Sequence, residues 1–187
     1  MTDPNNYPLL ATPHIRLSGS IDQAMYDKFN EQLAAAPAEG SLVVALTTLG
    51  GDPEIARAMG DDVRLMRDYR QREFLFLGKV AVYSAGATFM AYFPRENRFL
   101  TRGSRIMVHE RLITRDIKLE GPLRTCVATL KAALHEIEQS IAIEEEGFRA
   151  LVDQSGIDFA TLREKAPENW YIEAEEAREL GLVLDVI

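Results

Sequence analysis

A serine and a histidine close two apolar runs of this chain, and they are the side chains whose types and positions suit covalent chemistry. The run Phe74-Leu-Phe-Leu-Gly-Lys-Val-Ala-Val82 is short, β-branched or aromatic and nearly uncharged, as a buried strand is, and Ala85 to Phe93 has helix-forming character. Ser84 therefore falls at a strand-to-helix junction. The first N–H groups of a helix lack intrahelical partners and point at whatever precedes the helix, so they can bind a developing oxyanion and favour negative charge on the serine oxygen. Small residues at Ala85 and Gly86 would leave room for a substrate backbone. Serine is equally a preferred N-cap, and this stretch by itself fits that plainer role. His109 ends a second run, Arg105-Ile-Met-Val-His109, and a hydrolase needs a histidine base in hydrogen-bond reach of its serine plus a third group to orient the imidazole. A third run ends at Gly50-Gly51, which reads either as a tight turn or as a place where backbone approaches a ligand and offers an N–H donor.

The elements that must position these residues alternate. His14-Ile-Arg-Leu-Ser-Gly19 is a short alternating strand, and Asp22 can cap a helix from Gln23 to Ala36 whose Met25, Phe29 and Leu33 fall on one face. Ser41 to Thr47 is a second strand, Glu54 to Tyr69 a helix, and Phe74 to Val82 the third strand. Strand, helix, strand, helix, strand predicts an α/β domain with right-handed crossovers and a largely parallel sheet, whose sites lie beyond the carboxyl ends of the strands. Gly51 and Ser84 both occupy such ends. Asn97 to Thr101 and Arg105 to His109 read as two further strands. Asp158 to Ala166 is a short helix, Trp170 to Ile172 a strand, Glu173 to Leu180 a last helix and Leu182 to Ile187 a terminal strand.

Between Gly121 and Ser155 the pattern changes. Leu123, Val127, Leu130, Leu134, Ile137 and Ile141 follow heptad spacing, and the same register finds Phe148 and Leu151. An unbroken helix of about 35 residues would run about 50 Å, longer than a small domain can cover. It is expected to project and pack on another subunit; a hairpin broken at Gly147 is the alternative. Cys126 and His135 lie near this seam and read as packing or surface residues. Residues 1–13 hold three of the chain's prolines and little periodicity, and are expected to form an extended arm ahead of a single domain over 14–187.

Composition excludes several function classes. The 187 residues are 47% hydrophobic and 27% charged, ordinary globular usage. A net charge of −8 without a block of Lys or Arg argues against nucleic acid or an anionic membrane as partner. With Cys126 as the single cysteine and three scattered histidines, neither an intrachain disulfide nor a metal or cofactor site is indicated, and a soluble cytoplasmic protein is the expectation.

From about Ile15 to Ile187 the chain resembles the proteolytic subunit of the Clp protease, the ClpP-like S14 serine peptidases. The resemblance rests on Ile15-Arg-Leu-Ser-Gly-Ser-Ile-Asp22, Gly50-Gly51, Tyr83-Ser-Ala-Gly-Ala87, Ser104-Arg-Ile-Met-Val-His109 and Ala174-Glu-Glu-Ala-Arg-Glu-Leu-Gly-Leu-Val183. It implies a ClpP/crotonase-like α/β fold of repeated ββα-type units, with residues 121–155 as a long projecting handle helix. It implies a serine endopeptidase acting on peptides or unfolded polypeptide, a homo-oligomeric ring, and an AAA+ ATPase unfoldase as partner. Ser84 matches the nucleophile and His109 the general base, at the family's own interval; the Gly51 and Ala85 N–H groups match the oxyanion donors. Anchoring on the C-terminal motif and on Gly156 puts the family's aspartate at Asn169 and leaves Asp158 as a helix-start residue. The chain departs from the family in that asparagine, in Val80 where a glycine is usual, in Tyr83 beside the serine and in a short amino-terminal arm. A catalytically weak or silent ClpP-like structural subunit is the alternative those departures suggest. A crotonase-type acyl-CoA enzyme shares the fold, but the pairing of Ser84 with His109 argues against it.

Overall fold

The computed structural model describes residues 7–187, and its elements follow the apolar pattern closely. They are β1 (Ile15–Ser18), α1 (Gln23–Ala35), β2 (Leu42–Thr48), α2 (Pro53–Arg70), β3 (Phe74–Tyr83), α3 (Ala85–Met90), β4 (Arg98–Leu100), β5 (Arg105–Val108), α4 (Leu123–Val152), α5 (Phe159–Lys165), β6 (Trp170–Glu173), α6 (Ala174–Glu179) and β7 (Asp185–Val186). Asp22 caps α1 as expected, its Oδ1 accepting the Met25 N–H at 2.9 Å. Asp52 does the same for α2, accepting from Glu54 N at 2.8 Å, with Pro53 at the first helical position, where its missing N–H costs nothing.

The strands form one sheet along the path β1-β2-β3-β4-β7, and β5 joins β3 and carries β6. Every pairing is parallel except β5 with β6. Parallel sheets are buried on both faces, and β2 divides accordingly. Leu42, Val44 and Leu46 enter the main core with Phe29, Met59, Phe76, Phe89 and Phe93, while Val43 and Ala45 face Leu10, Leu77 and Phe99 on the other side. That second face corrects the expectation of an extended arm for the part described: Pro8–Ala11 is a 3-10 turn with Leu10 buried, and the Tyr7 ring packs tilted against Phe99 with ring centroids 4.6 Å apart. Residues 1–6 of that arm lie outside the described residues. The terminal strand is shorter than Leu182–Ile187, because only Asp185 and Val186 keep register with β4.

Strand β3 serves two neighbours in succession. Phe76–Gly78 pairs with β4, and Ala81–Tyr83 pairs with β5. Between them the register with β2 slips, Leu46 facing Gly78 but Thr48 facing Val82, so Lys79 and Val80 bulge outward, both exposed. The bulge re-aims the end of β3 toward β5. It requires φ +61° at Val80, a conformation costly to a β-branched side chain, which here gains no burial in return. Val80→Gly is therefore expected to raise the unfolding free energy by about 1 kcal/mol, since relief of the positive φ exceeds the chain entropy a glycine adds. A denaturant midpoint that falls, with an unchanged slope, would refute this.

Helix α4 is continuous through Gly147, which decides against the broken hairpin, and its 30 residues span about 45 Å. Only Ala133, Phe148, Leu151 and Val152 are buried; Leu123, Val127, Leu130, Leu134, Ile137 and Ile141 stay exposed along the projecting part. Its base is fastened by buried Arg98, whose guanidinium donates to the carbonyls of Ala91, Phe93, Leu151 and Leu182. Burial pushes the Arg98 pKa down to about 10. No helix among the described residues is long and apolar enough to cross a membrane.

Candidate active site

Parallel pairing of β3 with β5 sets Tyr83 beside Met107, so the residues that follow each strand emerge on the same edge. The Ser84 N–H donates to Met107 O at 2.8 Å. Ser84 stands before the first residue of α3 but its side chain caps nothing, which removes the plainer reading of this residue. Its backbone is held at φ 54°, ψ −115°, outside the regions ordinary residues occupy and worth roughly 1–3 kcal/mol of strain. The hydroxyl so presented meets the imidazole that follows β5: His109 Nε2 lies 2.7 Å from Ser84 Oγ, 25 positions along the chain.

The Gly50-Gly51 turn closes on the same point. A Cβ on Gly50 would approach Ser84 Cβ to 3.0 Å, and one on Gly51, at φ +145°, would strike Ile21 O at 2.2 Å. Thr48 Oγ1 holds the turn, accepting the Gly50 N–H and donating to Gly50 O, both at 3.0 Å. Among the described residues the N–H groups of Gly51 and Ala85 have no hydrogen-bond partner. Gly86 does not leave space for a substrate, contrary to expectation: a Cβ there would meet Thr48 Cγ2 at 2.5 Å, so this glycine serves the close approach of α3 to β2. Tyr83 turns its ring against Tyr171 of β6, 5.4 Å between centroids and nearly perpendicular.

Asn169 follows the 3-10 turn Ala166–Glu168 in a left-handed conformation, φ 58°. The antiparallel ladder pairs Val108 with Trp170, and extending that register by one sets Asn169 opposite His109. The Asn169 side chain is exposed, and among the described residues no hydrogen bond joins it to the imidazole. Asp158 is elsewhere: it caps α5, accepting Thr161 N–H at 2.7 Å, and that bond holds its carboxyl below the usual range.

A cavity of about 920 Å³ opens beside the serine, lined by Ser84, Ala85, Gly51 and His109 and walled by α2, α3 and α4. Its polar wall escaped the reading of the sequence. Glu54, in the first turn of α2, receives the Arg111 guanidinium and Arg57 Nη1, the latter at 2.9 Å, and the bond from Arg111 draws its carboxyl below the usual range. Glu144 on α4 accepts the Arg111 backbone N–H, while its own burial pushes its pKa up. Arg111 sits where hydropathy carries no period, so only its closeness to His109 in the chain could have marked it. Among the described residues no group of three or more His, Cys, Asp or Glu side chains is gathered for a metal.

Known proteins resemble this chain in sequence and fold. The sequence model of the family described as Clp protease matches residues 4–187. Two relatives, each an ATP-dependent Clp protease proteolytic subunit 3, one from Rhizobium etli and one from Rhizobium johnstonii, are 23% identical over 181 residues, covering 96% of this chain and 86% of theirs. A solved structure of a ClpP1 mutant from Listeria monocytogenes superposes with a TM-score of 0.72 at 19% identity, over 98% of this chain and 95% of that one. The mixed α/β architecture, the parallel-dominated sheet and the long helix are those of that fold. With a family match over nearly its whole length, the chain belongs to the Clp protease family.

Proposed function

We propose that this chain is a serine-type endopeptidase that hydrolyses peptides or unfolded polypeptide through an acyl-enzyme. The observation that carries the reading is the 2.7 Å approach of His109 Nε2 to Ser84 Oγ, in a serine whose strained backbone serves no capping role. Ser84 Oγ attacks the scissile carbonyl as His109 takes its proton. The tetrahedral oxyanion is received by the N–H groups of Gly51 and Ala85, donors that need not break other bonds to do so. His109 returns the proton to the departing amine, and a water activated by the same imidazole cleaves the acyl-serine. Asn169, set opposite His109 when the β5–β6 register is extended by one, is the residue placed to orient the imidazole as a neutral acceptor; catalytic hydrogen bonds are often long before substrate binds. Labelling of the purified protein with a fluorophosphonate, mapped by mass spectrometry, tests the reading. Label on Ser84 supports it, and an unlabelled Ser84 in a folded sample would leave the chain a structural subunit.

The exposed seam of α4 supports assembly into a homo-oligomer, and similarity to subunits of ATP-dependent Clp proteases supports a ring form with an AAA+ unfoldase as the partner that would feed it. Changing Leu130 and Leu134, 46% and 53% exposed in the single chain, to Asp is expected to give smaller particles by light scattering. Two carboxylates would have to be desolvated at the contact. An unchanged mass with an intact fold would put the contact elsewhere.

A further inference from the structure

The stretch that follows β5 has no regular secondary structure until α4 begins at Leu123, yet His109 is its first residue. An imidazole at the root of an irregular segment stays within hydrogen-bond distance of a serine only if something fixes that segment. Arg111 does so from both ends of the residue. Its backbone N–H binds Glu144 on α4, and its guanidinium binds Glu54 on α2, where Arg57 holds the second carboxylate oxygen. Glu54 lies two residues after Asp52, whose N–H donates to Ile21 O at 2.8 Å and fixes the backbone that carries the Gly51 N–H. Arg111 thus joins the strand end bearing His109, the turn bearing Gly51, and the helix that walls the cavity. Its side chain is 22% exposed, while that of its partner Glu54 is 54% exposed. By contrast, Arg115 pairs with Glu136, about two turns nearer the start of α4 than Glu144, and does not line the cavity.

We propose that Arg111 is a positioning residue that holds His109 and the Gly51 N–H in one frame by bridging Glu54 and Glu144. The proposal rests on the serine-peptidase reading for its kinetic consequence but not for its structural one. Misplacing a catalytic group by about 1 Å costs on the order of 10²-fold in rate.

The test compares Arg111→Ala, Arg111→Lys and Arg115→Ala on a fluorogenic peptide, with hydrogen exchange followed on the same full-length samples. Arg111→Ala keeps the backbone N–H bound to Glu144 and loses the guanidinium bound to Glu54; it is expected to lower kcat by about 10- to 100-fold with KM changed less than about threefold, because the tie between His109 and the Gly51 turn is lost. Arg111→Lys should recover most of the rate, since the structure shows a single guanidinium contact to Glu54 that an ammonium can replace. Arg115→Ala should match wild type. Adding Glu54→Gln to Arg111→Ala should cost little further, because the amide oxygen of glutamine can still accept from Arg57. An Arg111→Ala enzyme with unaltered kcat would overturn the proposal, whether its thermal stability fell or not, and a change confined to KM would assign Arg111 to substrate contact instead. Should wild type neither cleave peptide nor take label, the functional reading fails. Hydrogen exchange then decides the positioning role alone: Arg111→Ala must speed exchange across His109–Leu112 relative to β1 and β2, and equal rates would overturn it.

Discussion

Ser84→Ala is expected to abolish peptide hydrolysis, a loss of roughly 10⁴-fold or more, and to leave the fold untouched. Only the hydroxyl goes. In the native chain it caps no helix, and its one described hydrogen bond is with His109 Nε2. The Cβ that packs over Gly50 stays, and alanine bears the same backbone conformation, so the melting temperature should move little. His109→Ala should lose a comparable factor, and the double variant should be no worse than either alone, because a nucleophile and base as proposed here would act in one step. Lys79→Ala should remain fully active. Lys79 sits exposed in the β3 bulge and is not among the residues lining the cavity, so a serine–lysine pair has no geometric support. Turnover on the fluorogenic peptide and fluorophosphonate labelling check all four. Activity that survives in Ser84→Ala, or dies in Lys79→Ala but not His109→Ala, would take the chemistry away from these residues.

The parts of this site that could be read from the amino acids are those whose cause is local. An apolar run that stops at a serine, an aspartate before a helical period, and a glycine pair after a strand each carry their reason within a few residues. The carboxyl-end rule for parallel sheets then puts Gly51 and Ser84 on one edge. What stayed hidden is set by pairings far apart in the chain. The division of β3 between β4 and β5 depends on a two-residue slip against β2, and nothing in Lys79-Val80 announces it except a residue type ill-suited to the φ it adopts. The Arg111 bridges span 57 positions to Glu54 and 33 to Glu144, and neither follows any hydrophobic period. Tertiary charge pairs of this kind leave no trace in a window of the sequence. The heptad seam shows the converse: its spacing predicted a helix correctly, and the exposure of the same residues shows that the spacing serves a surface the single chain leaves uncovered.

Asn169 is the residue whose substitution should raise activity. The β5–β6 register sets it opposite His109, and its left-handed backbone, φ 58°, is one that Asp tolerates nearly as well as Asn. Asn169→Asp therefore changes charge without forcing the chain to move. An amide oxygen can fix the imidazole tautomer through one hydrogen bond, but only a carboxylate also offsets the positive charge that appears on His109 as the serine attacks. Replacing a triad carboxylate by its amide costs some enzymes about 10⁴-fold, so the reverse change has ample room, and a gain of about tenfold or more in kcat is expected here. Asn169→Ala, which removes the proposed acceptor, should fall about tenfold below wild type. Asp158→Ala should leave the rate alone and cost only the stability that an N-cap supplies to α5, because its carboxylate binds Thr161 N–H and not the imidazole. Kinetics of the three variants on one peptide separate the outcomes. A rate unmoved by both Asn169 changes would mean that His109 works without a third member, and an inactive Asp158→Ala with an intact α5 would mean that the segment rearranges to bring that carboxylate to His109 when substrate binds.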